Sequence, residues 1–331
     1  MSMLSSDKGP PVSRARRPGH AASRPERPWV ESGGLDAQMN AVGADADTRR
    51  FCAELAADGL GRIDLGSTGL ELVDQVVADT DRYFQDPNVA RVQDAWLRSK
   101  AVRQLATLPK LMDTLSLAYG RRAFAFQTLN FQRGSQQALH SDAIHFHSAP
   151  ERFMCGVWIA LEDISPASGP LTYVQGSHAL PVLTMQGAGV NASRPGPQDY
   201  VRQYVPALQR RLEASGLPQA LATPRKGEAV VWAANLAHGG SAIANPALTR
   251  KSLVVHVYFE DCLYYTPMTS DPAGARFDTR LPLNVKTGGW VWPRRAGRRV
   301  QVSRGAFVEA ARRRLLRRPV IEYFNAPGPA A

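Results

Sequence analysis

With 331 residues and 44% apolar composition, the chain is long enough to bury a sizeable core. It has no uninterrupted apolar run of about 18 residues, so no membrane-spanning helix is expected. The net charge of +11 is concentrated at the two ends, with +4 over residues 1–27 and +9 over residues 294–318, so the body between them is slightly acidic. Basic tails can bind nucleic acid or acidic membrane, but a solvated Arg-rich surface is expected here and a nucleic-acid partner is not. Cys52, Cys155 and Cys262 lie far apart and predict reduced, buried thiols in a cytoplasmic protein. The basic start has no apolar stretch after it, so no secretory signal is expected.

Residues 1–45 are rich in Pro, Gly, Ser, Ala and Arg and predict a disordered basic tail. Folding is expected to begin near Asp47. Phe51, Cys52, Leu55 and Ala56 give one apolar helix face, closed by Gly59. Ile63 to Leu65 reads as a short strand. Thr68 and Glu71 have capping-box spacing, and Leu72, Val73, Val76 and Val77 continue a helix to about Phe84. Asp94 to Leu105 reads as a further helix, and Pro109 opens another that runs to Ala118 and stops at Gly120. Residues 46–120 therefore form a helical flank.

From Ala123 the period changes to that of strands. AFAFQTLNF, the central run Phe153 to Asp163, Leu171 to Val174 after the Ser168-Gly169-Pro170 turn, Ala229 to Trp232 and Ser252 to Phe259 are all β-rich. Many short strands with Gly/Pro turns predict a mainly β fold with flanking helices, a jelly roll, over residues 121–265. Residues 182–223 interrupt the strands. Within them Tyr200, Tyr204, Leu208 and Leu212 fall on one helical stripe, which suits either a substrate lid or a packing appendage. Residues 266–331 form a C-terminal extension, with a basic helix over Ala306 to Leu316 that presents Phe307, Ala311 and Leu315 on one face.

The chemistry-bearing stretch is LNFQRGSQQALHSDAIHFHSAP, Leu129 to Pro150. On an extended strand, His140 and Asp142 would point to the same side. Joined by a distant histidine they make a 2-His-1-carboxylate set, which holds a metal while leaving positions open. His238, just beyond the Ala229–Trp232 strand, is the best partner. Arg250 opens the next strand, where its fork could grip a carboxylate. A second pattern, His145-x-His147-x3-Glu151, has the spacing of a cupin metal site, but the Pro-x-Gly turn that should precede the second histidine region is not at the expected distance from His238. His145 and His147 are read instead as pocket-lining groups, His178 as the cap of a turn and His256 as a satisfied core histidine.

His-Ser-Asp at 140–142, WIALEDISPASGPLTYVQGSH at 158–178 and the K-G-x-x-V-x-W…H-G-G…R pattern from Lys226 to Arg250 together resemble the phytanoyl-CoA dioxygenase family of iron(II)/2-oxoglutarate oxygenases. The resemblance spans roughly a third of the chain, with its parts in the family's order. It implies a double-stranded β-helix, with Fe(2+) bound by His140, Asp142 and His238. It also implies that Arg250 holds the far carboxylate of 2-oxoglutarate, that Trp158 lines the cosubstrate pocket and that Asn130 contacts 2-oxoglutarate. One position departs from the pattern: many relatives have serine two residues after the distal histidine, where this chain has Gly240, so Ser241 or Ser252 would have to replace that contact.

The expected activity is hydroxylation of a small molecule by O2, with decarboxylation of 2-oxoglutarate to succinate. Relatives that halogenate have a small residue in place of the carboxylate ligand, so the presence of Asp142 predicts no chlorination. Two other classes remain open on the sequence: a cupin-type metal dioxygenase or isomerase, and a non-catalytic jelly-roll binding protein.

Overall fold

The computed structural model describes residues 25–190, 195–271 and 274–324. Its helices are α1 (Leu35–Ala41), α2 (Ala46–Asp58), α3 (Gly66–Thr80), α4 (Lys100–Ala106), α5 (Pro109–Tyr119), the single turn α6 (Pro197–Asp199), α7 (Val205–Ser215) and α8 (Arg304–Leu316). Its strands are β1 (Leu60–Asp64), β2 (Val89–Gln93), β3 (Ala123–Phe131), β4 (His147–Ala149), β5 (Met154–Ala160), β6 (Leu171–Val174), β7 (Gln219–Ala222), β8 (Glu228–Ala233), β9 (His238–Gly240), β10 (Ser252–Phe259), β11 (Leu263–Tyr265), β12 (Arg294–Arg295), β13 (Arg298–Arg299) and β14 (Val320–Tyr323).

The major sheet has the order β1-β8-β5-β10-β3-β2-β14, and all the pairings given for it are antiparallel. A smaller sheet, β7-β6-β9, lies against it, and β4 pairs with β11. Period-2 alternation sorts the side chains of the major sheet. Cys155, Val157, Ile159, Val231, Leu253 and Val255 face α2, α3, α4 and α5 in one apolar core. Trp158, Ala160, Val230 and Trp232 face the other way and pack on Leu171, Tyr173 and Ala222 of the small sheet. Because both faces are covered, β3 and β5 are buried along their whole length, which explains their unbroken apolar sequences. The result is the expected mainly β jelly roll with flanking helices, and its sheets do not close into a continuous barrel.

Several local expectations are corrected. Residues 1–24 lie outside the described residues, but residues 25–45 are not the expected featureless tail: a 3-10 turn at Trp29–Glu31 and α1 bury Val30 and Met39, and Glu31 Oε2 accepts a bond of 2.6 Å from Arg152 Nη1. Helix α3 starts at Gly66, whose N–H donates to Asp64 Oδ1 at 2.8 Å, so the Thr68 capping box does not form. The Asp94–Leu105 helix is in fact two pieces, a 3-10 turn at Ala95–Leu97 and then α4, capped by Ser99 Oγ accepting from Val102 N at 3.0 Å. The helical stripe from Tyr200 to Leu212 begins as a π turn at Tyr200–Tyr204 ahead of α7. Pro206 has no N–H to continue the ladder there, which accounts for the irregular turn.

Helix α8 forms under a Ser303 cap but does not dock by the expected stripe. Leu315 is 80% exposed and Phe307 39%, and within the helix only Ala310 is buried. Instead Arg313 pairs with the buried Asp94, whose Oδ1 also accepts from Trp96 Nε1 (3.0 Å) and Thr128 N (3.2 Å), and Phe307 meets Trp290 at 5.2 Å between centroids.

Candidate active site

His140 sits beside β9, not within a strand of its own. His140 N donates to His238 O and His238 N to His140 O, each at 2.9 Å, and this narrow bridge brings the two imidazole centroids within 4.4 Å. Asp142 does not continue an extended run as the alternation argument required. It opens a 3-10 turn, Asp142–Ile144, stapled to the major sheet by Ser141 Oγ donating to Ala234 O (3.1 Å) and Ala143 N to the same oxygen (2.9 Å). The turn swings the carboxylate beneath both rings: His140 Nε2 is 3.8 Å from Oδ1 and His238 Nε2 3.8 Å from Oδ2. All three side chains are buried.

Backbone carbonyls fix the ring orientations. His140 Nδ1 is 3.0 Å from Ala138 O and His238 Nδ1 2.9 Å from Leu236 O, so each Nδ1–H donates to a carbonyl and each Nε2 keeps its lone pair toward the cavity, where the Gln137 amide Nε2 lies 3.4 Å from that of His140. Burial pushes both imidazoles down, His238 to about 4, so they are neutral near pH 7. Burial alone would raise the Asp142 carboxyl. The surrounding imidazoles of His238, His256 and His140, and the Trp232 Nε1–H donated to Oδ2 at 2.8 Å, outweigh it and hold the group at about 2.

The donor set fits a divalent metal. Two atoms each about 2.1 Å from one ion stand at most about 4.2 Å apart, and both Nε2–carboxylate separations of 3.8 Å lie within that limit. The three ligand atoms lie within 4.8 Å of one another and are the one such His/Cys/Asp/Glu group among the described residues.

The triad opens into a cavity of about 620 Å³. Arg250 enters it 4% exposed, between the faces of Trp158 and Phe131 at 5.2 and 5.5 Å from the guanidinium carbon. Its one hydrogen bond as donor from the side chain runs from Nη2 to Arg133 O at 3.3 Å, and Nε has no partner among the described residues. Burial depresses this guanidinium to about 10. Trp158 Nε1 and Ser252 Oγ are also buried without hydrogen-bond partners among the described residues. A buried cation among unsatisfied donors is costly unless an anion completes it, and this slot fits the carboxylate of a keto-diacid cosubstrate.

The other expected residues divide between the cavity and the core. Ser252 stands on the face of β10 that also carries Val254 and His256. Asn130 does not reach the cavity: Gln127, Leu129 and Phe131 line it, whereas Asn130 lies opposite Leu253 and Val92 on the helix-covered face, with both amide atoms unpartnered. At Gly240 a Cβ would come within 2.7 Å of both Gln136 N and Ser135 Oγ, so the close approach of the 135–137 loop excludes serine. Ser241 Oγ is buried without a partner and does not line the cavity, while Ser135 does. His145 lines the cavity beside Tyr200 (5.1 Å), but His147 and Glu151 line a separate cavity of about 240 Å³, so the cupin-type ligand set does not assemble. His178 is buried, with Nε2 3.2 Å from Ala56 O.

His256 is the main residue that sequence reasoning misplaced. It is a cavity residue, with Nδ1 2.8 Å from Gln127 Oε1 and Nε2 3.8 Å from Asp142 Oδ2. Period-2 counting from Ser252 through Val254 was the signal that could have found it. Tyr200 of the 182–223 insertion and Met268 also reach the cavity, whereas Tyr264 seals the core by donating to Phe259 O at 2.8 Å. Tyr204, Leu208 and Leu212 pack the insertion onto Ile144 and Ala237, each close in sequence to a triad residue.

The sequence profile of the phytanoyl-CoA dioxygenase family matches residues 69–252. No curated protein matches the chain. Among solved structures, the carbocyclase SnoK of nogalamycin biosynthesis, described as non-heme and alpha-ketoglutarate-dependent, aligns at 17% identity over 68% of this chain and 88% of its own, with a TM-score of 0.52. The epimerase SnoN, in complex with Fe3+, alpha-ketoglutarate and nogalamycin RO, aligns at 21% identity over 66% of this chain and 86% of its own, with a TM-score of 0.50. At these identities the two establish a common fold.

Proposed function

This chain belongs to the phytanoyl-CoA dioxygenase family, and from that premise we propose that it is an iron(II)/2-oxoglutarate-dependent oxygenase of a small molecule, with His140, Asp142 and His238 as the iron ligands. One observation carries the assignment: two buried imidazoles turn their Nε2 atoms toward one buried carboxylate, at the mouth of a cavity that also holds a buried arginine with no salt bridge among the described residues. When bound, iron(II) with 2-oxoglutarate supplies the oxidising power, drawing on O2 and releasing succinate and carbon dioxide.

The chain's own residues do the rest. Ala138 O and Leu236 O keep the two rings in the ligating tautomer, and the Trp232 N–H orients Asp142 and adds to the imidazoles' stabilisation of its charge. Arg250 anchors the distal carboxylate of 2-oxoglutarate by charge-assisted bonds, with Ser252 Oγ and Trp158 as the adjacent polar and flat walls. Leu129, Phe131 and Val254 keep water from the slot. Asp142 fills the place that a halide would need and adds a negative charge beside it, so oxygen insertion into a C–H bond is the expected outcome and chlorination is not.

No helix among the described residues is long and apolar enough to cross a membrane. A reducing, cytoplasmic setting completes the reading, supported by the burial of Cys52, Cys155 and Cys262, which form no disulfide with one another. The test is oxygen-dependent formation of succinate from 2-oxoglutarate by iron-loaded protein, abolished in His140→Ala. Succinate formation that persists in that variant contradicts the assignment.

A further inference from the structure

Beyond the triad, the same cavity has a second cationic group that the cosubstrate does not use. We propose that Arg280 recognises the carboxylate of the substrate, and that the substrate is an apolar or aromatic carboxylic acid; the inference rests on the oxygenase reading above.

Position separates the two arginines. Val254 and His256 of β10 line the cavity, and Arg250 precedes His256 by six residues, a reach of up to about 20 Å for extended chain. Arg280 belongs to the His256 end. Its guanidinium carbon is 4.8 Å from the Phe146 ring centroid, and Phe146 is 4.8 Å from the His256 ring. A cosubstrate held by Arg250 therefore leaves Arg280 available on the substrate side of the triad.

Charge and orientation point the same way. Arg91 lines the cavity too, but it is paired with Glu322 at 2.8 Å. Arg280 has no carboxylate partner among the described residues, and the exposed Glu309 at the rim is not paired with it. Arg280 Nη1 donates to Thr266 Oγ1 at 3.0 Å, which fixes the plane of the guanidinium and leaves the Nε–Nη2 edge without a hydrogen-bond partner among the described residues. Two parallel N–H groups on one edge match a planar carboxylate. Phe146, Tyr200 and Met268 supply flat or apolar wall for the body of the acid. The third oxygen of a phosphate would find no further unpaired cation on this wall among the described residues, which favours the carboxylate.

The experiment uses full-length protein loaded with Ni(II) and 2-oxoglutarate, with binding read by calorimetry. The probes are carboxylic acids paired with their primary amides: phenylacetate, indole-3-acetate and decanoate, each against its amide. Wild type should bind at least one acid roughly 10- to 100-fold more tightly than its amide. Arg280→Gln should erase that preference, and Arg280→Lys, which keeps the charge but loses the fork, should retain part of it. An absence of acid preference in wild type, or a preference that survives Arg280→Gln, overturns the proposal. A 2-oxoglutarate titration of the same wild-type protein separates the two readings. Failure to bind 2-oxoglutarate sinks the cosubstrate assignment, whereas 2-oxoglutarate binding without acid preference sinks only the role of Arg280.

Discussion

Replacing Arg250 with alanine tests the cosubstrate slot through a quantity the structure lets one estimate. The guanidinium is 4% exposed, flanked by Trp158 and Phe131, and makes one side-chain hydrogen bond as donor, to Arg133 O at 3.3 Å. Its cost of burial is therefore largely uncompensated until an anion arrives. Removing it leaves a bound carboxylate buried without its countercharge, a loss of about 2–5 kcal/mol, or roughly 30- to 5,000-fold in dissociation constant. The assay is a calorimetric titration of 2-oxoglutarate into Ni(II)-loaded protein. Thermal unfolding gives an independent reading, since ligand at about 100 times its dissociation constant stabilises wild type by about 2.7 kcal/mol. Arg250→Ala should lose most of that ligand-dependent gain, while its ligand-free stability falls little, because the arginine contributes few satisfied interactions there. An Arg250→Ala variant that binds 2-oxoglutarate within about threefold of wild type would show that the slot lies elsewhere.

Three further outcomes follow from other parts of the site and fold. Trp232→Phe removes the one indole N–H donated to Asp142, at 2.8 Å, and should weaken metal binding about 10- to 100-fold with the ligands intact, as measured by competition with a chelating dye. Wild-type enzyme in high chloride should give no chlorinated product by mass spectrometry, and Asp142→Gly should lose oxygenation; chlorination by the unaltered enzyme would show that Asp142 does not occupy a metal position. Deleting residues 1–45 should lower the melting temperature, because it exposes the contacts of Val30 and Met39, each worth about 1.5–3 kcal/mol when buried, and removes the partner of Arg152. A truncation that melts like wild type would mean that this segment adds nothing to stability.

The candidate site was legible in the sequence because order along the chain and residue type constrain it: His140, Asp142, His238 and Arg250, picked out by pattern, line one cavity. Strand alternation is nevertheless not what brings His140 and Asp142 together. The two converge through a β-bridge and a 3-10 turn, and no local period encodes a turn stapled to Ala234, some ninety residues away. His256 was hidden by its valine neighbours, which read as core, although strand alternation already put it on the face of Ser252. The course of Asn130 depended on which face of β3 meets the helices, a tertiary fact. Leu315 failed because apolar periodicity does not guarantee docking when Arg313 and Asp94 supply the contact instead. Arg280 comes from an irregular segment, where neither period nor motif marks a residue for the cavity.

In the proposed site His140, Asp142 and His238 would hold iron(II), with 2-oxoglutarate bound beside it. Its most direct test is the visible absorption spectrum of anaerobic protein with iron(II) and 2-oxoglutarate. A weak charge-transfer band should appear only when both are present, and it should vanish in His140→Ala and in His238→Ala. A band that persists in both variants, or wild-type protein that binds iron(II) and 2-oxoglutarate without forming one, would contradict the account.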